Sequence, residues 1–187
     1  MISQSTFTAI DFESAGTSPG QTDAPVQIGL ATYKVGKGLS APYMSHLHCD
    51  REITWKAQKV HGITPADLTH APTLLSLWPV LRDRLSAGPV VAHGHGTEKR
   101  FLRAFPGHLF GPWVDTLSLS RRAWPQLESH SLGAVCEALQ LTSFQHLAPG
   151  KTWHDALFDA LASLAILERL IQDFDLARHP LDSILHP

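Results

Sequence analysis

Cysteine is scarce in this chain of 187 residues: Cys49 and Cys136 stand far apart and in no Cys-x-x-Cys pairing. That argues against a disulfide framework and a thiolate zinc site, and both thiols are expected to be reduced. Long hydrophobic runs are missing too. No stretch approaches the roughly 18 apolar residues of a membrane-spanning helix, and Met1 to Thr6 lacks the charged and apolar regions of a secretion signal. The expectation is a chain that stays in the cytoplasm with no membrane partner. An excess of positive charge is also lacking, since 15 Lys and Arg face 17 Asp and Glu for a net charge of −2. Nonspecific affinity for nucleic acid normally comes from a basic surface. If the substrate is a polyanion, bound cations must supply much of the attraction. Low-complexity tails, internal repeats, linkers and a heptad seam are absent as well.

What is present is a chain 43% hydrophobic and 17% charged, which suits a soluble globular protein rather than a disordered or fibrous one. Its length suits one domain. The expectation is a single unit over 1–187, with a core over about 7–170 and a C-terminal tail over about 172–187. Phe7 to Glu13 and Val26 to Tyr33 read as strands, joined through a loop with Gly16, Pro19 and Gly20. A weaker strand is expected at Tyr43 to His48. Leu74, Trp78, Leu81 and Leu85 recur at helical spacing, with Pro79 kinking that segment or starting its second half. Val90 to His93 reads as strand, Gly94 to Gly96 as turn, and Thr97 to Phe105 as helix. Trp113 to Thr116 closes another strand, and Leu132, Val135, Cys136 and Leu139 mark a helix face behind a Ser129 or Ser131 cap. The last helix is expected from about His154 to Ile171. Strands first, then alternating helices and strands, indicate an α/β domain with a mixed sheet.

Three groups of residues carry chemistry. In Thr8 to Glu13, strand alternation puts Asp11 and Glu13 on one side and Ile10 and Phe12 on the other. Acids side by side on a core strand raise one another's pKa unless a cation sits between them, and a divalent metal explains the pair most simply. Taken alone, an Asp-x-Glu reads more readily as a strand end at the surface. Glu98 falls in the first turn of its helix, where the dipole favours a carboxylate, and alone it reads as an ordinary first-turn acid. Ala156, Ala160 and Ser163 form a stripe of small residues that lets the last helix approach other backbone closely. Asp159 lies about 60° around the helix from Ala156, so it flanks that contact, and His154 sits near the helix start.

Taken in order, Asp11-Phe12-Glu13, then Val91-Ala92-His93 through Glu98 with Phe101-Leu102, then His154 through Ala160 resemble the DEDD exonuclease superfamily in its histidine-bearing DEDDh branch. That branch includes proofreading subunits of DNA polymerases, the polymerase III epsilon type among them, and RNA-trimming enzymes. Val60-His61-Gly62-Ile63-Thr64 with Asp67 and Leu68, and Asp115-Thr116-Leu117 followed by Ser131-Leu132, are similar to the segments between the family's motifs. The likeness runs from about Phe7 to Leu170. It departs in two places. The second motif usually has His-Asn followed by Phe-Asp, where this chain has His93-Gly94 and Thr97-Glu98. After the first motif, Ser14-Ala15-Gly16 replaces the frequent Thr-Thr-Gly.

The resemblance implies a ribonuclease H-like mixed central sheet flanked by helices. It implies hydrolysis of phosphodiester bonds from the 3′ end of single-stranded DNA or RNA, releasing 5′-mononucleotides. Asp11, Glu13, Glu98 and Asp159 correspond to ligands of two divalent ions, Mg²⁺ or Mn²⁺, as hard oxygen donors suit. His154 corresponds to the general base, a role histidine's titration near neutrality fits. Phe12, Ser14, Ala15, Gly16 and His61 are the expected substrate contacts, His61 having an equal claim to a structural tie. The family's assemblies leave a monomer, a homodimer or a polymerase-associated subunit open. Two other readings stand beside this one. One is a catalytically weakened nucleic-acid or protein binding module, suggested by Gly94 and Glu98. The other is a histidine-liganded zinc enzyme, suggested by His46-Leu47-His48-Cys49 and His93-Gly94-His95.

Overall fold

Alternation along one strand sets the architecture. The computed structural model describes residues 1–185, so His186 and Pro187, the end of the expected tail, lie outside the described residues. Strand β1 (Phe7–Ser14) is central in a five-stranded sheet of order β3-β2-β1-β4-β5. It runs antiparallel to β2 (Pro25–Lys34), which pairs antiparallel with β3 (Gly38–His46), and parallel to β4 (Val90–Ala92), which pairs parallel with β5 (Trp113–Asp115). The expected mixed sheet is present.

Each face of β1 meets a different apolar layer. Ile10 and Phe12 pack with Ile28, Leu30 and Val90 against Leu81 and Leu85 of α3 (Trp78–Leu85) and Phe101 and Leu102 of α4 (Gly96–Leu102). Phe7 and Ala9 pack with Ala31, Tyr33, Val91 and Val114 beneath α5 (Thr116–Ala123), α6 (Leu132–Ala138) and the long α7 (Ala156–Asp173). A smaller cluster of Ala15, Val26, Ile53, Ile63 and Leu68 gathers under the short helices α1 (Trp55–His61) and α2 (Pro65–Leu68). Full burial of each Leu or Ile contributes about 1.5–3 kcal/mol, so the two main layers hold the sheet rigidly.

Several boundaries differ from the sequence expectation for local reasons. The third strand begins at Gly38 rather than Tyr43, and it ends at His46. Pro42 and the left-handed Ala41 (φ 51°) lie within it, tolerated because it is an exposed edge, and they masked its period. Of the two roles open to Pro79, the structure shows the second: it stands in the first turn of α3 and starts that helix rather than kinking a longer one. Helix α4 stops at Leu102, short of Phe105, while α7 starts at Ala156 because Asp155 caps it. Thr116 opens a helix rather than closing a strand, since the Asp115 side chain accepts the Leu117 N–H. The tail folds back onto its own domain. Ile184 is fully buried beside α7, and the Ile2 N–H donates to the His179 carbonyl at 3.0 Å.

One close approach fixes where α7 lands. Gly29 on β2 faces the first turn of α7, and a Cβ there would run into the Ala156 carbonyl and the Leu157 nitrogen. Gly29 is also the cross-strand neighbour of Asp11. The small-residue stripe of the helix therefore rests on a glycine directly beside the acids. Gly29→Ala is expected to lower the unfolding free energy by about 3 kcal/mol, because backbone rather than a flexible side chain must give way. Urea denaturation measures this, and an unchanged midpoint would show that the helix does not rest on Gly29.

Candidate active site

The acids gather at the carboxyl ends of β1 and β4, on the side where α7 begins. Asp11 and Glu13 project from β1 toward the α7 face, their cross-strand partners on β2 being Gly29 and Gln27. Gln27 is only 2% exposed and uses both ends of its amide on the helix start. Its Nε2 donates to Asp155 Oδ2 at 3.1 Å, and its Oε1 accepts the Ala156 N–H at 2.8 Å. Asp155 in turn caps α7 by accepting from the Leu157 N–H at 3.1 Å and pairs with Lys151 at 2.8 Å. The residue before this clamp, His154, holds a left-handed backbone (φ 66°), which breaks from the helical path and keeps its side chain outside the helix.

This geometry brings Glu13, His154 and Asp159 together, with one ligand atom from each lying within 4.8 Å of the others. Asp159 is 9% exposed, and its buried Oδ1 has no hydrogen-bond partner. An unsatisfied buried oxygen costs about 1–3 kcal/mol, more when charged, unless something else neutralises it. Glu98 sits in the first turn of α4 and is 5% exposed. Neither Asp11 nor Glu98 belongs to the converging trio; Asp11 feels Asp159 and Glu13, and Glu98 acts on Asp11.

Burial, followed by Asp159, Glu98, Glu13 and Asp155, pushes the Asp11 carboxyl well above the usual range. Burial with Asp159 and Asp155 pushes Glu13 up to about 8. Burial raises Asp159 to about 7 against the pull of the His154 backbone N–H, with Asp155 adding to the rise. Burial raises Glu98 to about 7 against its own backbone N–H and Arg100, with Asp115 pushing upward. Carboxyls shifted upward together favour a bound proton or a cation over bare negative charge. A divalent ion fits the donor set, which is hard oxygen with one orphaned buried atom.

A cleft of about 500 Å³ opens beside Glu13, lined by Ser14, Gly16, Lys56, Val60 and His61 among others. Its floor is fixed by polar ties. His61 accepts the Ile63 N–H on Nδ1 at 3.0 Å, so its Nε2 carries the proton and donates to the Ser14 carbonyl at 3.1 Å. The Gly16 N–H donates to Asp23 Oδ1 at 2.9 Å, and the Ala15 carbonyl accepts the Thr54 N–H at 2.8 Å. Gly16 is required here by its positive φ of 82° and by Thr54, whose hydroxyl would meet any Cβ.

Two of the expected substrate contacts have buried side chains. Phe12 is 6% exposed and packs edge-on against Phe101 at 5.4 Å, so its ring is core and offers no face to a base. Ala15 is fully buried, with its N–H donating to the Ala24 carbonyl at 2.8 Å. The histidine pairs also fail as a zinc site. His48 binds Asp50 at 2.8 Å, Cys49 Sγ is turned to the Arg51 carbonyl, and His93 spans Thr116 Oγ1 and the His130 carbonyl. Among the described residues, Glu13, His154 and Asp159 form the one metal-competent cluster.

Sequence reasoning missed the residues that hold the site in place. Asp23 accepts from Gly16 and Ala24 and pairs with Arg100 at 2.8 Å, tying the β1–β2 loop to α4. Asp115 accepts from Gly94, Leu117 and Ser118, tying β5 to the turn before Glu98. A signal existed for Gln27: it is the one amide in the otherwise apolar middle of its strand, a position that demands partners.

Fold and site together define a ribonuclease H-like α/β domain with an acid cluster at the carboxyl edge of its mixed sheet. The family profile described as "Exonuclease" matches residues 8–167, and the chain belongs to the exonuclease family. It is 30% identical over 172 residues to a PolC-type DNA polymerase III from Thermotoga maritima, covering 89% of this chain and 12% of that protein. The chain thus spans about an eighth of that curated relative. A solved structure of exonuclease X in complex with 5′-overhanging duplex DNA superposes with a TM-score of 0.74 at 25% identity, covering 96% of this chain and 99% of that one. The nuclease domain of 3′hExo, a DEDDh family member bound to rAMP, has a TM-score of 0.74 at 15% identity over 90% of this chain and 92% of that one, a likeness of fold. Among the described residues no helix is long and apolar enough to cross a membrane.

Two predictions follow from the electrostatics and the clamp. The unfolded chain binds fewer protons than the folded one between the ordinary carboxylate range and about 8, the raised value of Glu13. Without metal, stability is therefore expected to be fullest in acid and to fall as pH rises through that window. A divalent ion that replaces the protons restores it. Thermal melts with EDTA and with Mn²⁺ should show a stabilisation that is large at roughly pH 8 and small at roughly pH 5. Equal stabilisation at both would count against the cluster as the binding site. Gln27→Leu is expected to lose about 1–3 kcal/mol in urea denaturation, since it strands the Ala156 N–H and an Asp155 oxygen. No loss would dismiss the clamp.

Proposed function

We propose that this chain is a metal-dependent 3′–5′ exonuclease, acting as one unit on 3′ ends of single-stranded DNA or RNA and releasing 5′-mononucleotides. The observation that carries this reading is the convergence of Glu13, His154 and Asp159 around a buried carboxylate oxygen with no partner. Membership of the exonuclease family and the likeness to exonuclease X support it.

In this reading Asp11, Glu13, Glu98 and Asp159 hold two divalent ions, Mg²⁺ or Mn²⁺. Asp11 is the acid whose carboxyl feels Asp159, Glu98 and Glu13 at once, which suits a position between two cations. When bound, the ions supply positive charge for the scissile phosphate and for the departing 3′ oxygen. The protein's own groups do the rest. His154 is exposed and stands beside Glu13 and Asp159, where its imidazole takes the proton from an attacking water. The Ser14–Gly16 segment forms the floor for the terminal nucleotide, and His61 keeps it in place through the Ser14 carbonyl. Such contacts read backbone and ring faces, so little base specificity is expected. The likeness to a PolC-type polymerase favours a polymerase as the protein partner over a homodimer.

Glu98 argues against a decayed binding module. Its carboxyl is buried and felt by Asp11, so the negative charge of the second motif is kept in place despite the longer side chain. The test is incubation of 5′-labelled DNA and RNA oligonucleotides with and without Mn²⁺. A metal-dependent ladder of products shortened one nucleotide at a time is expected, and an endonucleolytic pattern or metal-independent cleavage overturns the reading. His154→Ala should lower kcat by about 100-fold or more while Mn²⁺ still raises its melting temperature. Unchanged turnover in that variant removes His154 from the mechanism.

A further inference from the structure

Helix α1 presents an aromatic and basic face that neither the core nor the acid cluster uses. None of its residues is buried, and Trp55 is 74% exposed, unusual for the largest apolar side chain. The Lys59 ammonium lies 4.9 Å from the Trp55 ring centroid, one helical turn on, which holds the indole in a defined orientation and leaves the rest of it open. By the 100° per residue of a helix, Lys56 and Val60 follow Trp55 and Lys59 around the same side. These two residues line the cleft beside Glu13 and Ser14. The stripe therefore runs without interruption from the cleft to the outside of the domain. The helix carries two lysines and no acid in a chain whose net charge is −2, and the nearest acid in sequence is Glu52, before the cap.

We infer that this outer face of α1 is a platform for the strand upstream of the 3′ end, with a base stacked on Trp55 and phosphates met by Lys56 and Lys59. Stacking on an aromatic ring beside ammonium groups is the chemistry that holds single strands without reading sequence. The inference rests on the exonuclease reading. It accounts for how a protein with no overall basic charge retains a polyanion beyond the residues in contact with the metals.

The test is fluorescence anisotropy of a labelled single-stranded dodecamer and of a dinucleotide on the full chain, in Mn²⁺ and in EDTA, alongside turnover of both. Trp55→Ala is expected to weaken dodecamer binding about tenfold and raise its KM with kcat unchanged. It should leave the dinucleotide unaffected, and Trp55→Phe should restore most of the loss. Lys59→Gln should lessen the salt dependence of dodecamer binding by about 0.7 in the logarithmic slope. A Trp55→Ala chain that binds the dodecamer as the wild type does overturns the inference and leaves this face to a protein partner. Failure of the wild type to hydrolyse either oligonucleotide defeats the exonuclease reading separately, while the binding comparison still decides the role of Trp55.

Discussion

The docking of the first turn of α7 onto β2 is the constraint on which everything else rests. Gly29 gives the helix room, and Gln27 locks it by saturating the groups that a helix start leaves exposed. Both residues sit directly opposite the acids of β1, Gly29 across from Asp11 and Gln27 across from Glu13. The strand ladder thus sets the spacing between the β1 carboxylates and whatever α7 carries. Asp159 lies in its first turn and His154 just before its cap. A shift of one residue in that pairing would turn the β1 acids to the other face of the sheet.

Holding these groups together works against the stability of the metal-free protein. Glu13, Glu98 and Asp159 are each pushed toward neutrality by burial, and Asp11 is pushed further by the other three. The apolar layers on both faces of β1 offset that strain, since β1 cannot move without disturbing either one. The polar ties around the cluster share the task. Asp23 with Arg100 and Asp115 with Gly94 join α4 to the loop before β2 and to β5, so the turn preceding Glu98 is held from two sides. Charge repulsion at the centre and saturated hydrogen bonds at the rim are two aspects of one arrangement, a site rigid enough to keep its acids apart by a fixed amount.

Much of this was legible in the sequence because it depends on period. The alternation of Phe7 to Glu13 predicted which side chains of β1 share a face, and the spacing of Ala156, Ala160 and Ser163 predicted a helix that comes close to the sheet. The same alternation placed Phe12 on the face opposite Asp11 and Glu13, where its ring packs in the core. Helix α1 was not legible, because a helix with no buried residue has no apolar stripe to read. Helix α5 was hidden behind Asp115, whose capping role shows only once its partners are known. The clamp of Gln27 on Asp155 joins residues 128 positions apart through an amide, and no local pattern encodes such a contact. What a single sequence records poorly is polar complementarity between distant elements, which here positions the site.

The glutamate at position 98 shows how far such complementarity reaches. A glutamate places its carboxylate one methylene further from the backbone than an aspartate, so the same helix start would carry its charge too deep unless the helix stood further back. Helix α4 starts at Gly96, after a Gly94 in left-handed geometry (φ 84°) whose N–H is held by Asp115. An asparagine can take such a backbone at a modest penalty and glycine at none. A Cβ at Gly94 would also press on Leu117 at 3.2 Å. Glycine at position 94 frees the turn that leads into α4. Glu98 ends buried and within the field of Asp11.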